Sequence, residues 1–320
     1  MSTKKILWFV SIICLSLLLI DILFTPTFIN VLNYKINQSF LIWEYRLPKA
    51  ITACIVGASL AASGFILQQL YANNLAGPYI LGISSGASLA VALTIIGAHI
   101  FPFLNHGFSL SVAGIIGSIT ILTLVLMVSK KFGTGATILL FGVILGQITG
   151  AIQSLLDYLA FSSDLKAFTV WGMGSFSKVI AWDCLILSTI SILALLGAWL
   201  LMPALSIMVL GEDTAKSLGV QVDKTQWQLL LLTGILTGIS TAFCGPIAFI
   251  GMAMPNLARL MMPSIHFKHL LLLSILLGAC MALISDIMSS LPIFTINLPI
   301  NVSTAIIGGP IVLYVLFKRK

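Results

Sequence analysis

Ten long apolar stretches, at about 6–25, 48–71, 81–104, 109–129, 135–157, 182–202, 226–244, 247–262, 269–290 and 302–317, take up most of the 320 residues. Crossing the ~30 Å hydrocarbon core of a bilayer takes roughly 20 apolar residues as a helix, so each stretch is a candidate transmembrane span. Inside hydrocarbon every backbone N–H and C=O must be bonded within the protein, which a helix does locally. The expected fold is therefore all-α: a polytopic bundle of about ten spans, forming a single transmembrane domain over residues 1–320. With 59% hydrophobic and 8% charged side chains and a mean hydropathy of +1.13, nothing remains for a sizeable water-soluble domain.

A net charge of +7 would raise the question of nucleic acid in a soluble chain, but here the basic residues sit at the ends of apolar runs. An even number of spans puts both termini on one side. If that side is the cytoplasm, the inner segments carry Lys4, Lys5, Lys130, Lys131, Lys216, Lys224, Arg259, Lys268, Lys318, Arg319 and Lys320. Lys35, Arg46, Lys49, Lys166 and Lys178 are left outside. This imbalance favours both termini inside, in the cell membrane. Lys4 and Lys5 ahead of an apolar run imitate a secretory signal, but no small-residue cleavage site follows, so 6–25 is read as the first span.

Glycine and proline interrupt several spans, at Gly77-Pro78, Gly245-Pro246, Pro255 and Gly308-Gly309-Pro310. Broken helices are tolerated where the backbone is buried in protein or lines a cavity. Small-xxx-small spacing at Gly142, Gly146 and Gly150, and at Gly234 and Gly238, predicts close helix approach. Cys14, Cys54, Cys184, Cys244 and Cys280 lie far apart in different apolar segments, with no metal-ligand or disulfide spacing. His266 and His269 lack acidic or thiol neighbours, His99 and His106 stand alone, and Met252, Met254, Met261 and Met262 read as packing. No cofactor or metal is implied. Asp21, Asp157 and Asp286 are isolated acids in different spans, which gives no basis for an intramembrane enzyme.

One stretch is polar. Gly211-Glu-Asp-Thr-Ala215-Lys-Ser-Leu218-Gly219, within a connection at about 203–224 on the cytoplasmic side, reads as a short helix. Glu212 and Asp213 suit its start and Gly219 its end, and Gly211, Ala215 and Leu218 share a face at i, i+4 and i+7. Such a small-faced helix can seat in a partner's groove. Polar residues concentrate here, whereas an ion-coupled secondary transporter, the main rival reading, places ionisable residues in its spans. No P-loop is present, so any ATP hydrolysis belongs to another chain.

The order and spacing of further motifs resemble a known family. They are Arg46-Leu-Pro-Lys49, Gly57-Ala-Ser-Leu-Ala-Ala-Ser-Gly64, Gln68, Asn73-Asn-Leu-Ala-Gly-Pro78, Leu81-Gly-Ile-Ser-Ser-Gly-Ala87 and Trp171-Gly-Met-Gly-Ser175. After the 211–219 loop come Gly245-Pro-Ile-Ala-Phe-Ile-Gly251, Pro255, Arg259 and Thr304-Ala-Ile-Ile-Gly-Gly-Pro310. Together they resemble the FecCD-type permeases of binding-protein-dependent ABC importers for iron-siderophores, haem and cobalamin. The resemblance implies a ten-helix permease that pairs with a second permease, the same chain or another, around a translocation path. Two ABC ATPase subunits would sit below and a siderophore-binding protein would dock outside. It implies ATPase coupling through Gly211, Glu212, Asp213, Ala215, Leu218 and Gly219, docking through Arg46 and Lys49, and alternating access. Ferric-siderophore is the expected cargo, with cobalamin or haem as the alternative.

The sequence departs from the family at several points. The family's Asn-Pro-Leu-Ala is Asn73-Asn74-Leu75-Ala76, its Pro-His is Pro255-Asn256, and its Glu-Leu-Pro-x-Gly is Asn297-Leu298-Pro299-Ile300-Asn301. Its Asp-x-x-Ala-Arg is Asp286-Ile-Met-Ser289-Ser290, without the docking arginine. These departures fit a chain that pairs with a second, non-identical permease retaining the missing charges.

Overall fold

The computed structural model describes residues 3–24, 42–97, 107–132, 135–262, 266–290 and 298–318. Lys35, His99, His106, Asn297, Arg319 and Lys320 lie outside the described residues. Among the described residues twelve α-helices follow one another, with no strand: α1 (Thr3–Phe24), α2 (Leu47–Leu70), α3 (Ile83–Gly97), α4 (Gly107–Phe132), α5 (Gly135–Leu159), α6 (Ser162–Gly172), α7 (Ala181–Met208), α8 (Glu212–Ser217), α9 (Val222–Cys244), α10 (Ile250–Met261), α11 (Phe267–Ser289) and α12 (Ile300–Lys318).

Every apolar stretch expected to span coincides with one of these helices. Seven described helical segments are long and apolar enough to cross a bilayer, while Ile83–Ile96 and Ile300–Val315 are shorter and α10 has 12 residues. The shortening has a local cause. The chain turns at Gly245, with φ +78°, and at Phe249, with φ +67°, so the run expected at 247–262 begins as a helix only at Ile250.

The hub is α2. Its apolar window is 83% buried, against 17% for those of α1 and α5, and it packs on α11, α10, α9 and α7. Glycine makes this possible. A Cβ at Gly57 would fall against the carbonyl of Gly278 on α11, and one at Gly278 against that of Gly57. Further along α2, Gly64 lies against the carbonyl of Gly251 on α10. Pro255 explains why that carbonyl is available, because proline brings no N–H to the residue four positions earlier. Gly86 of α3 and Gly117 of α4 repeat the mutual approach.

Of the expected small-residue pairs, Gly142 lies on the backbone at 80–81, Gly234 and Gly238 meet Leu122 and Ser118 of α4, and a Cβ at Gly150 would meet nothing within 4 Å. Hydroxyls supplement the packing. Ser63 Oγ lies 2.9 Å from Thr237 Oγ1, and Ser84 Oγ 3.1 Å from Thr241 Oγ1, each bridging two helices. The cysteines, far apart in sequence, are not all apart in space: Cys14 lies near Cys54 and Cys280 where α1, α2 and α11 pack. Apolar periodicity assigns each to a span but cannot say which spans adjoin.

Candidate functional site

At one end of the bundle α8 stands between α7 and α9. Gly211 precedes it with φ +115° and Gly219 follows with φ +81°, conformations that cost other residues more than glycine. Its C-terminus is closed by Gly219 N–H to Lys216 C=O at 3.0 Å and Val220 N–H to Ala215 C=O at 2.9 Å, a Schellman arrangement. Glu212 and Lys216 pair at 2.7 Å across one turn, and the Glu212 carboxylate raises the Lys216 ammonium above the ordinary lysine value.

Glu212, Asp213, Lys216 and Leu218 are exposed, and Ala215 is fully buried. The expected common face of Gly211, Ala215 and Leu218 is therefore divided. Ala215 seats α8 on its own bundle, and Leu218, just past the last helical turn, is 61% exposed; Val209 and Leu210 ahead of α8 are exposed as well. Periodicity extended the helix one residue too far, and beyond the last helical residue the i, i+4, i+7 spacing no longer fixes which side a residue presents.

At the opposite end, Arg46 lies in a π-helical turn (Ile42–Arg46) just before α2, only 8% exposed. Its Nη1 donates to the carbonyls of Ile22 and Leu23, at 3.2 and 3.4 Å, at the end of α1. Lys49 Nζ pairs with Asp286 Oδ2 at 2.8 Å and donates to Ser290 Oγ at 2.8 Å; the side chains are 13% and 1% exposed. The partner that an acid at this depth requires is thus Lys49. Both basic residues tie the outer ends of α1, α2 and α11 together.

Between these ends lies a cavity of about 770 Å³, bounded by α3, α5, α6 and the backbone at Pro246. Along α5 its wall runs from Gly142 through Gly146, Gln147, Gly150 and Gln153 to Asp157. That is about 22 Å of helix at 1.5 Å per residue, a large part of the ~30 Å hydrocarbon thickness. The glycines read in the sequence as a close-approach pattern, with the amides between them, instead form one cavity-lining stripe once α5 is placed beside α3.

The departures from the family pattern find partners. Asn256 donates through Nδ2 to the carbonyls of Asn74 and Met252, both at 2.8 Å, and accepts from Arg259 at 2.9 Å. Arg259 also donates to Gln68, whose Nε2 donates to Met252 C=O at 3.1 Å. Asn301 donates to the carbonyls of Gly172 and Pro246 at 3.2 and 2.7 Å and accepts from Ala248 N–H at 3.1 Å. It therefore satisfies backbone groups left open by the Gly245-Pro246 break.

The profile of the FecCD transport family matches residues 6–318. The chain belongs to the FecCD transport family. The vitamin B12 import system permease BtuC of Vibrio cholerae serotype O1 is 34% identical over 280 residues, covering 87% of this chain and 83% of that protein. The hemin transport system permease HmuU of Yersinia pestis is 36% identical over 282 residues, covering 87% and 84%. A solved metal-chelate type ABC transporter in an inward-facing conformation has a TM-score of 0.90 at 29% identity, over 98% of this chain and 99% of that one. PsaBC from Streptococcus pneumoniae, with a TM-score of 0.57 at 17% identity, shares the fold. This FecCD protein is accordingly an integral membrane permease subunit of an ABC importer, and the ion-coupled secondary transporter is set aside.

Proposed function

We propose that this FecCD permease carries a ferric-siderophore across the cell membrane by alternating access, driven by separate ATPase subunits. The observation that carries the reading is the superposition on a metal-chelate type transporter over nearly the whole chain, at a TM-score of 0.90. The cavity supports it. At about 770 Å³ it has the size of a site for a compact organic ligand, and its wall is small and hydrogen-bonding. Cobalamin and haem, the cargoes named for BtuC and HmuU, are the competing readings.

We assign ATPase coupling to α8 and its flanks. Gly211 and Gly219 set its ends, Glu212 and Asp213 charge its first turn, buried Ala215 fixes it to the bundle and Leu218 reaches toward the ATPase. An extracytoplasmic binding protein docks over the outer end of α2, around Arg46 and Lys49, and a second permease subunit, the same or a different chain, completes the path. Arg46→Glu is expected to weaken docking with a salt-dependent deficit. Because Arg46 also holds the end of α1, the thermal midpoint of that variant is measured alongside.

The test is uptake of labelled ferric-siderophores, haem and cobalamin by cells lacking this gene and complemented with the wild-type chain. Accumulation of a ferric-siderophore that depends on the chain and on ATP supports the assignment. Rescue by cobalamin or haem alone replaces the cargo, and ATP-independent uptake overturns the mechanism.

A further inference from the structure

We propose that the cavity along α5 selects cargo by charge, admitting neutral or cationic chelates and rejecting polyanionic ones, with Asp157 as the specificity-determining residue. The inference rests on reading this cavity as part of the cargo path.

The lining makes the case. Ser85, Ser88, Gln147, Gln153, Ser154 and Thr169 offer hydroxyls and amides that both donate and accept hydrogen bonds. Among the described residues that line the cavity, Asp157 is the one carboxylate, and none is a lysine, arginine or histidine. The nearest basic residues in sequence, Lys166 on α6 and Lys178 beyond it, are exposed and lie outside the lining. Asp157 forms no ion pair or side-chain hydrogen bond with any described residue, in contrast to Asp286, which is matched by Lys49.

Asp157 stands at the end of the α5 stripe that the charge pattern places outward, where arriving cargo meets it first. An uncompensated carboxylate between low-dielectric walls repels anions and attracts cations more strongly than one in water. Neutral donors and acceptors, in turn, hold a ligand without demanding a charge. A polyanion moving along this wall would meet no cation from the described lining residues of this chain. A neutral or monocationic ferric trihydroxamate meets only complementary groups; a trianionic ferric tris-catecholate does not.

The test uses the assembled importer in lipid nanodiscs without its binding protein, so that selectivity supplied outside is removed. Equilibrium dialysis with radio-iron-labelled ferric trihydroxamate and ferric tris-catecholate is expected to show a preference of about tenfold or more for the hydroxamate. Asp157→Asn, nearly isosteric, should narrow the gap, and Asp157→Lys should close or invert it, with size-exclusion profiles confirming intact assembly. Equal affinity for the two chelates, or a ratio that Asp157→Asn leaves unchanged, overturns the proposal. If neither ferric chelate binds, the ferric cargo fails while the charge rule is still decided: binding of neutral cobalamin upholds it, and binding of haem through its propionate anions refutes it.

Discussion

Lys49 and Asp286 offer the sharpest test of how this bundle is held together, because they pair at 2.8 Å across α2 and α11 with side chains only 13% and 1% exposed. Removing one member leaves the other in a poorly solvated site. For buried pairs this costs about 3–5 kcal/mol, and the partial exposure of Lys49 places it near 3 kcal/mol. Lys49→Met would also cost Ser290 Oγ its 2.8 Å contact, and Asp286→Leu would leave the ammonium with that hydroxyl alone. At roughly 2–4 °C per kcal/mol for a domain of this general size, each single variant should lower the thermal midpoint by about 6–12 °C.

The double variant Lys49→Met/Asp286→Leu tells a different story, since replacing a whole buried pair by apolar side chains of similar volume is often nearly neutral. It is expected within about 1 kcal/mol of the wild type rather than at the sum of the singles. The assay is fluorescence-detected size exclusion of detergent-solubilised protein after a temperature series. Single variants that melt with the wild type, or a double variant whose loss equals the sum of the singles, would show that the pair does not couple α2 to α11.

Three further perturbations probe other levels. Leu218→Arg, on an exposed side chain, should leave insertion and melting unchanged and abolish ATP-dependent uptake; normal uptake would remove α8 from the coupling role. Gly64→Ala drives a methyl into the Gly251 carbonyl and should cost about 1–3 kcal/mol or more, whereas Gly150→Ala, with nothing within 4 Å, should melt like the wild type, both read in the same thermal series. Mild oxidation with diamide should join Cys14 to Cys54 or Cys280, identified by mass spectrometry of non-reduced peptides and lost in Cys14→Ser; free thiols at all three positions would contradict the packing of α1 on α2 and α11.

Hydrophobic length marked the apolar helices of the bundle, because lipid leaves the backbone no other way to satisfy its hydrogen bonds, and the charged residues at helix ends set the expected orientation. The polar 211–219 run stood out because the rest of the chain is so apolar, and Gly219 was legible as its end, whereas Gly211 was read as part of its face. The family pattern was legible too, being carried by residues in sequence order.

Contacts between spans were not legible. Nothing in the sequence says that Gly57 faces Gly278, that Lys49 reaches Asp286, that Cys14 lies near Cys54 and Cys280, or that Asn301 serves the carbonyl of Pro246. Each is a pairing over a long sequence separation, and helical periodicity fixes a residue's face without naming the neighbour that face meets. The stripe from Gly142 to Asp157 shows this best. Its glycines were legible only as a helix-packing pattern, and with the amides they became a cavity wall when α3, α5 and α6 were placed side by side. The sequence by itself determined that the chain lives in a bilayer as a helical bundle and which way it points; the tertiary structure decided which faces adjoin, because that depends on the joint packing of all the helices.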